Sequence, residues 1–169
     1  MNYKVLTVVL LLFSTICNYS FASANVSEKV FDFGVLNGAI QEGGMVKINR
    51  AIPDPVIYRL ELKDKKSGSI VIRDATARMA SNGAATITIQ NTIPDEKEAL
   101  YLTINTTMFV DSKKHPLEVS SRGNDVIVNM PESGEILELR SDSPLELQVP
   151  VSFKGNIRIE MQIEDELSY

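Results

Sequence analysis

The sequence predicts an all-β protein, a β-sandwich in preference to a barrel, and three observations carry that expectation. From residue 25 onward apolar side chains recur with period two, the alternation that gives a strand one buried and one solvated face. Glycine and proline breaks such as Ser67-Gly68, Asn82-Gly83, Arg122-Gly123-Asn124 and Pro131-Glu132-Ser133-Gly134 punctuate the chain at short spacing, as in sandwiches. The one helix-friendly stretch, Asp95 to Ala99, is about one turn long.

Ahead of the strands lies a different kind of segment. Lys4 is followed by the uncharged run Val5 to Phe13, and a mildly polar stretch then ends in Ala22-Ser23-Ala24, with the small side chains at first and third position that signal peptidase accepts. Residues 1–24 read as an export signal, cut after Ala24. A retained anchor needs about 20 apolar residues, and Asn18 and Ser20 interrupt the run before that. Cys17 follows Ile16, where a lipid-modified cysteine would need a small neighbour, so it is expected to leave with the leader.

What remains, residues 25–169, is 169 less 24, or 145 residues, enough for one domain with its own core. We expect a single β-sandwich with an N-terminal extension over about 25–36. This mature chain has no cysteine, which excludes disulfides, thiol nucleophiles and cysteine metal sites. Its 16 Lys and Arg against 22 Asp and Glu give a net charge of about −6, and no basic stripe suits nucleic acid.

The strands follow in order. Phe31, Phe33 and Val35 alternate with Asp32 and Gly34 near the new N-terminus, and Glu42-Gly43-Gly44 reads as a hairpin turn. Val56, Tyr58, Leu60 and Leu62 alternate with Ile57, Arg59, Glu61 and Lys63; Lys63, Lys65 and Lys66 read as a solvated turn. Leu100, Leu102, Ile104, Thr106 and Met108 form a longer run. Shorter candidates span Ser69 to Asp74, Ala85 to Gln90, Asp125 to Met130 and Glu135 to Arg140. At the C-terminus Leu145, Leu147, Val149, Val151 and Phe153 precede Ile157, Ile159, Met161 and Ile163, and Lys154-Gly155-Asn156 between them predicts a β-hairpin. Pro150 cannot donate to a ladder and belongs at an edge or bulge.

Catalytic residue types are scarce. His115, the one histidine, lies in the polar Ser112-Lys113-Lys114-His115-Pro116 and is expected in an exposed loop. No serine stands in a nucleophile-elbow pattern, and one histidine without a thiolate makes a poor zinc site. Glu160 and Glu164 read as a solvated strand face, with Asp165 and Glu166 in a tail. Arg122-Gly123-Asn124-Asp125 has too few acids for a calcium loop. No phosphate loop or dinucleotide fingerprint appears. The expectation is a non-enzymatic protein with no metal and no cofactor.

The N-terminal segment leaves two possibilities open: it is the first strand of its own sandwich, or it is donated to the sheet edge of a neighbouring subunit. Leader, glycine-containing alternating stretch (Phe31-Asp32-Phe33-Gly34-Val35-Leu36-Asn37-Gly38-Ala39-Ile40) and strongly alternating C-terminal hairpin together resemble a minor subunit of chaperone–usher fimbriae. The resemblance implies an immunoglobulin-like domain completed by a partner's strand, with other fimbrial subunits, a periplasmic chaperone and an outer-membrane usher as partners. It also implies passage through the periplasm to a cell-surface fimbrium, and no membrane insertion of the mature chain. Phe31, Phe33 and Val35 would be donor side chains, and Ile157, Ile159, Met161 and Ile163 would border the acceptor groove. The competing expectation is a stand-alone secreted adhesin or glycan-binding module, although the chain has no Trp to offer a sugar.

Overall fold

A computed structural model describes residues 23–36, 44–51, 55–62, 67–93, 98–132, 134–141 and 143–168. The leader up to Ala22, Lys63, Lys65, Lys66 and most of the short helix-friendly stretch lie outside these residues.

The described residues are all-β and form two antiparallel sheets. The smaller has the order β1 (Ser23–Leu36), β13 (Gly155–Ser168), β4 (Ser67–Ile72), β10 (Asp125–Asn129), β9 (Val119–Arg122). The larger is built on β7 (Ala99–Val110), a strand long enough to take different neighbours along its two halves. Its first half pairs with β6 (Ala85–Thr92) and β12 (Leu145–Pro150), its second with β8 (Lys113–His115) and β11 (Ile136–Arg140). Beyond these lie β5 (Ala75–Met79) against β6, β2 (Met45–Arg50) against β12 and β3 (Val56–Glu61) against β11.

The core lies between the sheets, as the period-two pattern requires. Ile70, Ile72, Val126, Val128, Ile157 and Ile159 from one sheet join Ile87, Ile89, Leu102, Ile104, Leu137 and Leu147 from the other in a single buried cluster. Thr106, placed by its alternation on the buried face of β7, is buried there with its hydroxyl unpartnered.

The expected C-terminal hairpin does not form. β12 hydrogen-bonds to β2 and β7 and β13 to β1 and β4, so the two strands belong to opposite sheets. Residues 151–154 cross between them through a tight turn in which the Phe153 amide donates to the Pro150 carbonyl at 3.0 Å. Two strands of a hairpin present their apolar faces on one side of one sheet; here the faces of β12 and β13 meet across the core. Alternation shows that each strand has a buried face, and it does not say in which layer the strand lies. Pro150 ends β12 opposite Met45, past the stretch that β7 accompanies, so its missing N–H costs no bond on that side.

Three further expectations need correction. Asp165 and Glu166 are not in a tail, because β13 runs on to Ser168. His115 is not in a loop: it pairs with Met108 in β8, and its Nδ1 lies 3.0 Å from the Pro116 carbonyl oxygen. Gly44 leads into β2, which shares no sheet with β1, so the glycine pair before it does not join a hairpin of those strands. Strands β2, β5, β8 and β9 were not foreseen. They are short or mostly exposed; the alternation of Val46 and Ile48 in β2 and of Ala75, Ala77 and Met79 in β5 is brief, and β8 and β9 have none.

Candidate functional site

The expected donor and acceptor residues meet along one seam, between β1 and β13. The seam begins with β13, whose Ile157, Ile159, Met161, Ile163 and Leu167 are all buried and point into the core. One edge of β13 is taken by β4, and salt bridges fix that side: Arg73 bridges Asp125 and Glu164, and Arg122 meets Glu166 at 2.9 Å. The other edge is covered by β1 of the same chain, antiparallel, with Ser23 opposite Leu167 and Leu36 opposite Gly155.

Directly opposite residues of an antiparallel pair share a face. Asn25, Ser27, Lys29 and Phe31 therefore lie beside the buried Asp165, Ile163, Met161 and Ile159. Only Phe31 among them is a large apolar side chain. Val26 and Val30 fall on the opposite face and are exposed, Val26 by 60%.

After Asp32 the register shifts by one residue, so that Gly34 rather than Phe33 stands opposite Ile157. Gly34 has φ +80°, a left-handed value that suits glycine, and its amide donates to Asp32 Oδ1 at 2.8 Å. This bulge breaks the phase of the Phe31, Phe33, Val35 series. Phe31 and Phe33 pack against the core, and the Arg50 guanidinium lies 5.8 Å from the Phe33 ring centre. Val35 faces solvent, 71% exposed. Of the expected cleavage residues, Ala22 lies outside the described chain and Ala24 pairs in β1 with Glu166.

The sequence reading missed the polar end of this seam. Asp165 is 1% exposed, and its Oδ1 accepts the Asn25 backbone amide at 2.7 Å. Burial and the neighbouring Asp165 carboxylate, which accepts from the Tyr58 hydroxyl, push the Tyr58 pKa up to about 12. Ser27 also hydrogen-bonds Tyr58, and Lys29 Nζ reaches the Val56 carbonyl at 3.5 Å, so β1 is tied to β3 across the sheets. A signal was present: continuing the count from Ile157 through Ile163 puts residue 165 on the buried face, between Ile163 and Leu167.

Elsewhere, an open depression of about 300 Å³ is lined by Thr88, Gln90, Asn91, Tyr101 and Asn124 beside Asp74. Among the described residues no three His, Cys, Asp or Glu side chains gather as a metal site needs.

The model of a family of unknown function (DUF5462) matches residues 8–165. The K88 minor fimbrial subunit FaeF of Escherichia coli is 38% identical over 162 residues, covering 96% of this chain and 99% of that protein. The likeness to fimbrial minor subunits suggested by the sequence is thereby borne out. No solved structure matches the chain.

Proposed function

Since the chain belongs to the DUF5462 family and is related over nearly its whole length to a minor fimbrial subunit, we propose that it is a non-enzymatic minor subunit of a chaperone–usher fimbria, assembled by donor-strand exchange. Residues 1–24 direct export and are removed. The mature domain, immunoglobulin-like in character, meets its chaperone in the periplasm and its usher at the outer membrane, and ends in a surface fimbrium beside other subunits.

The observation that carries this proposal is the quality of the β1–β13 seam. β13 offers a buried face that is apolar from Ile157 to Ile163, and the strand on its open edge sets Asn25, Ser27 and Lys29 beside it, with Phe31 and, past the bulge, Phe33 as its apolar contacts with the core. Fully burying one Val, Leu or Ile is worth about 1.5–3 kcal/mol. A partner strand with apolar residues at alternate positions would thus be the better occupant, and β1 the weaker one it displaces. Once released and straightened through its bulge, the segment would again present Phe31, Phe33 and Val35 on one side, ready for a neighbour's groove.

The test is to express residues 25–169 and the same chain without residues 25–36, each with and without a peptide carrying residues 25–40. We expect the shortened chain to aggregate unless peptide is supplied, and the longer chain to take up labelled peptide in place of its own strand. A shortened chain that stays a soluble, cooperatively melting monomer and ignores the peptide would sink the donor-strand proposal and favour a stand-alone secreted module.

A further inference from the structure

The contact between Asn25 and Asp165 acquires a different chemistry once the leader is gone. In the uncut chain the Asn25 nitrogen is an amide donating to a buried carboxylate at 2.7 Å. Hydrolysis of the Ala24–Asn25 bond adds one water: Ala24 leaves with a carboxylate, and Asn25 keeps an amine that is mostly protonated near neutral pH, since an α-amino group has a pKa of about 7.7–8.0. The same nitrogen then carries a positive charge.

We propose that Asp165 is a receptor for the mature N-terminus, and that leader removal locks β1 onto its own domain by turning the Asn25–Asp165 hydrogen bond into a buried ion pair. The proposal rests on cleavage after Ala24. Asp165 is 1% exposed on a strand face otherwise made of Ile157, Ile159, Met161, Ile163 and Leu167, where an ionised carboxylate is costly unless it is paired. Its hydrogen-bonding neighbours in the uncut chain, the Asn25 amide and the Tyr58 hydroxyl, are neutral donors. Lys29, on the same face of β1, reaches instead toward the Val56 carbonyl. The amide bond to the carboxylate is already charge-assisted; a positive charge on the same nitrogen adds direct Coulomb attraction, which is stronger away from water. Processing therefore brings a positive charge to the place where the fold holds the acid, at the end of the strand that assembly would have to displace.

Strand pairing by itself makes the opposite forecast. Ser23 and Ala24 add rungs to the ladder, opposite Leu167 and Glu166, so a chain retaining two residues there should hold β1 better than one beginning at Asn25. The exported chain is compared with one in which Thr-Gln, which offers signal peptidase no small residue before Asn25, is inserted after Ala24 so that the mature end begins Thr-Gln-Asn25, and both are made with and without Asp165→Asn. The readout is hydrogen exchange of the β1 amides.

We expect β1 to exchange about tenfold or more slowly in the chain beginning at Asn25, with that difference gone in Asp165→Asn. Selective acetylation of the Asn25 amine, which removes the charge and leaves Asp165 untouched, should speed exchange by a similar factor and serves if Asp165→Asn does not fold. Equal or better protection in the lengthened chain, or exchange indifferent to acetylation, overturns the lock. Mass spectrometry of the exported product separates this from its premise: a product beginning elsewhere overturns both, and a product beginning at Asn25 with unchanged exchange overturns the lock alone.

Discussion

At the scale of single residues, a few polar groups do work that no apolar pattern announces. Asp111 and Ser112 join β7 to β8 through a two-residue turn with both residues at positive φ, 48° and 66°. The Asp111 carboxylate accepts the Glu135 and Ile136 amides, both at 2.9 Å, and so ties the turn to the start of β11. Those backbone bonds, with Lys113 nearby, hold its pKa below the usual carboxylate value. The sign follows: a depressed carboxyl contributes stability that is present above its unfolded pKa of about 4 and is lost as pH falls through its lower folded value. We expect Asp111→Ala to speed exchange of the Glu135 and Ile136 amides at neutral pH and to flatten the acid limb of the stability curve. Unchanged exchange at both amides would show that the turn holds without this anchor. Glu138 is a second such group, nearly buried yet paired with Arg59 and Arg140, the latter stacked 4.7 Å from the Phe109 ring centre.

At the scale of elements, the bulge in β1 makes self-packing and donation distinguishable by substitution. In its own domain Val35 is 71% exposed while Phe31 packs on the core. Val35→Ala should therefore change the stability of the monomeric domain by no more than about 0.5 kcal/mol. If the straightened segment is donated, the same substitution should nonetheless lower incorporation into fimbriae, measured by immunolabelling of surface fibres. Phe31→Ala should lower both. A Val35→Ala subunit that assembles normally would remove Val35 from the donor set. In β13, Ile159 is fully buried opposite Phe31, and Ile159→Ala should cost about 2–5 kcal/mol in denaturant unfolding.

At the scale of the whole molecule, the burden of stability falls on the core and on the two edges that close it. The sequence has a single cysteine, Cys17, inside the expected leader, so the melting temperature should be the same with and without reductant. The alternation that identifies Val56 to Leu62, Leu100 to Met108 and Ile157 to Ile163 is legible because each run buries one face; β2, mostly exposed at a sheet border, has only the brief pair Val46 and Ile48, and β9 at the other sheet's border has none. In the candidate site the apolar half, Phe31 with Ile157, Ile159, Met161 and Ile163, was legible for the same reason. Asp165 was passed over because acids are seldom buried without a partner, and its partner Asn25 lies 140 residues away in sequence.

The sequence by itself determined that the chain is all-β, which residues of its main strands are buried, and that the resemblance to fimbrial subunits lies in its first and last strands, since these depend on local periodicity and residue type. Only the tertiary structure decided that β12 and β13 lie in opposite sheets, that β1 covers the open edge of β13, and that the Asn25 nitrogen meets Asp165. Layer, edge and charge pairing are relations between distant segments, and a period of two is the same whichever sheet a strand joins.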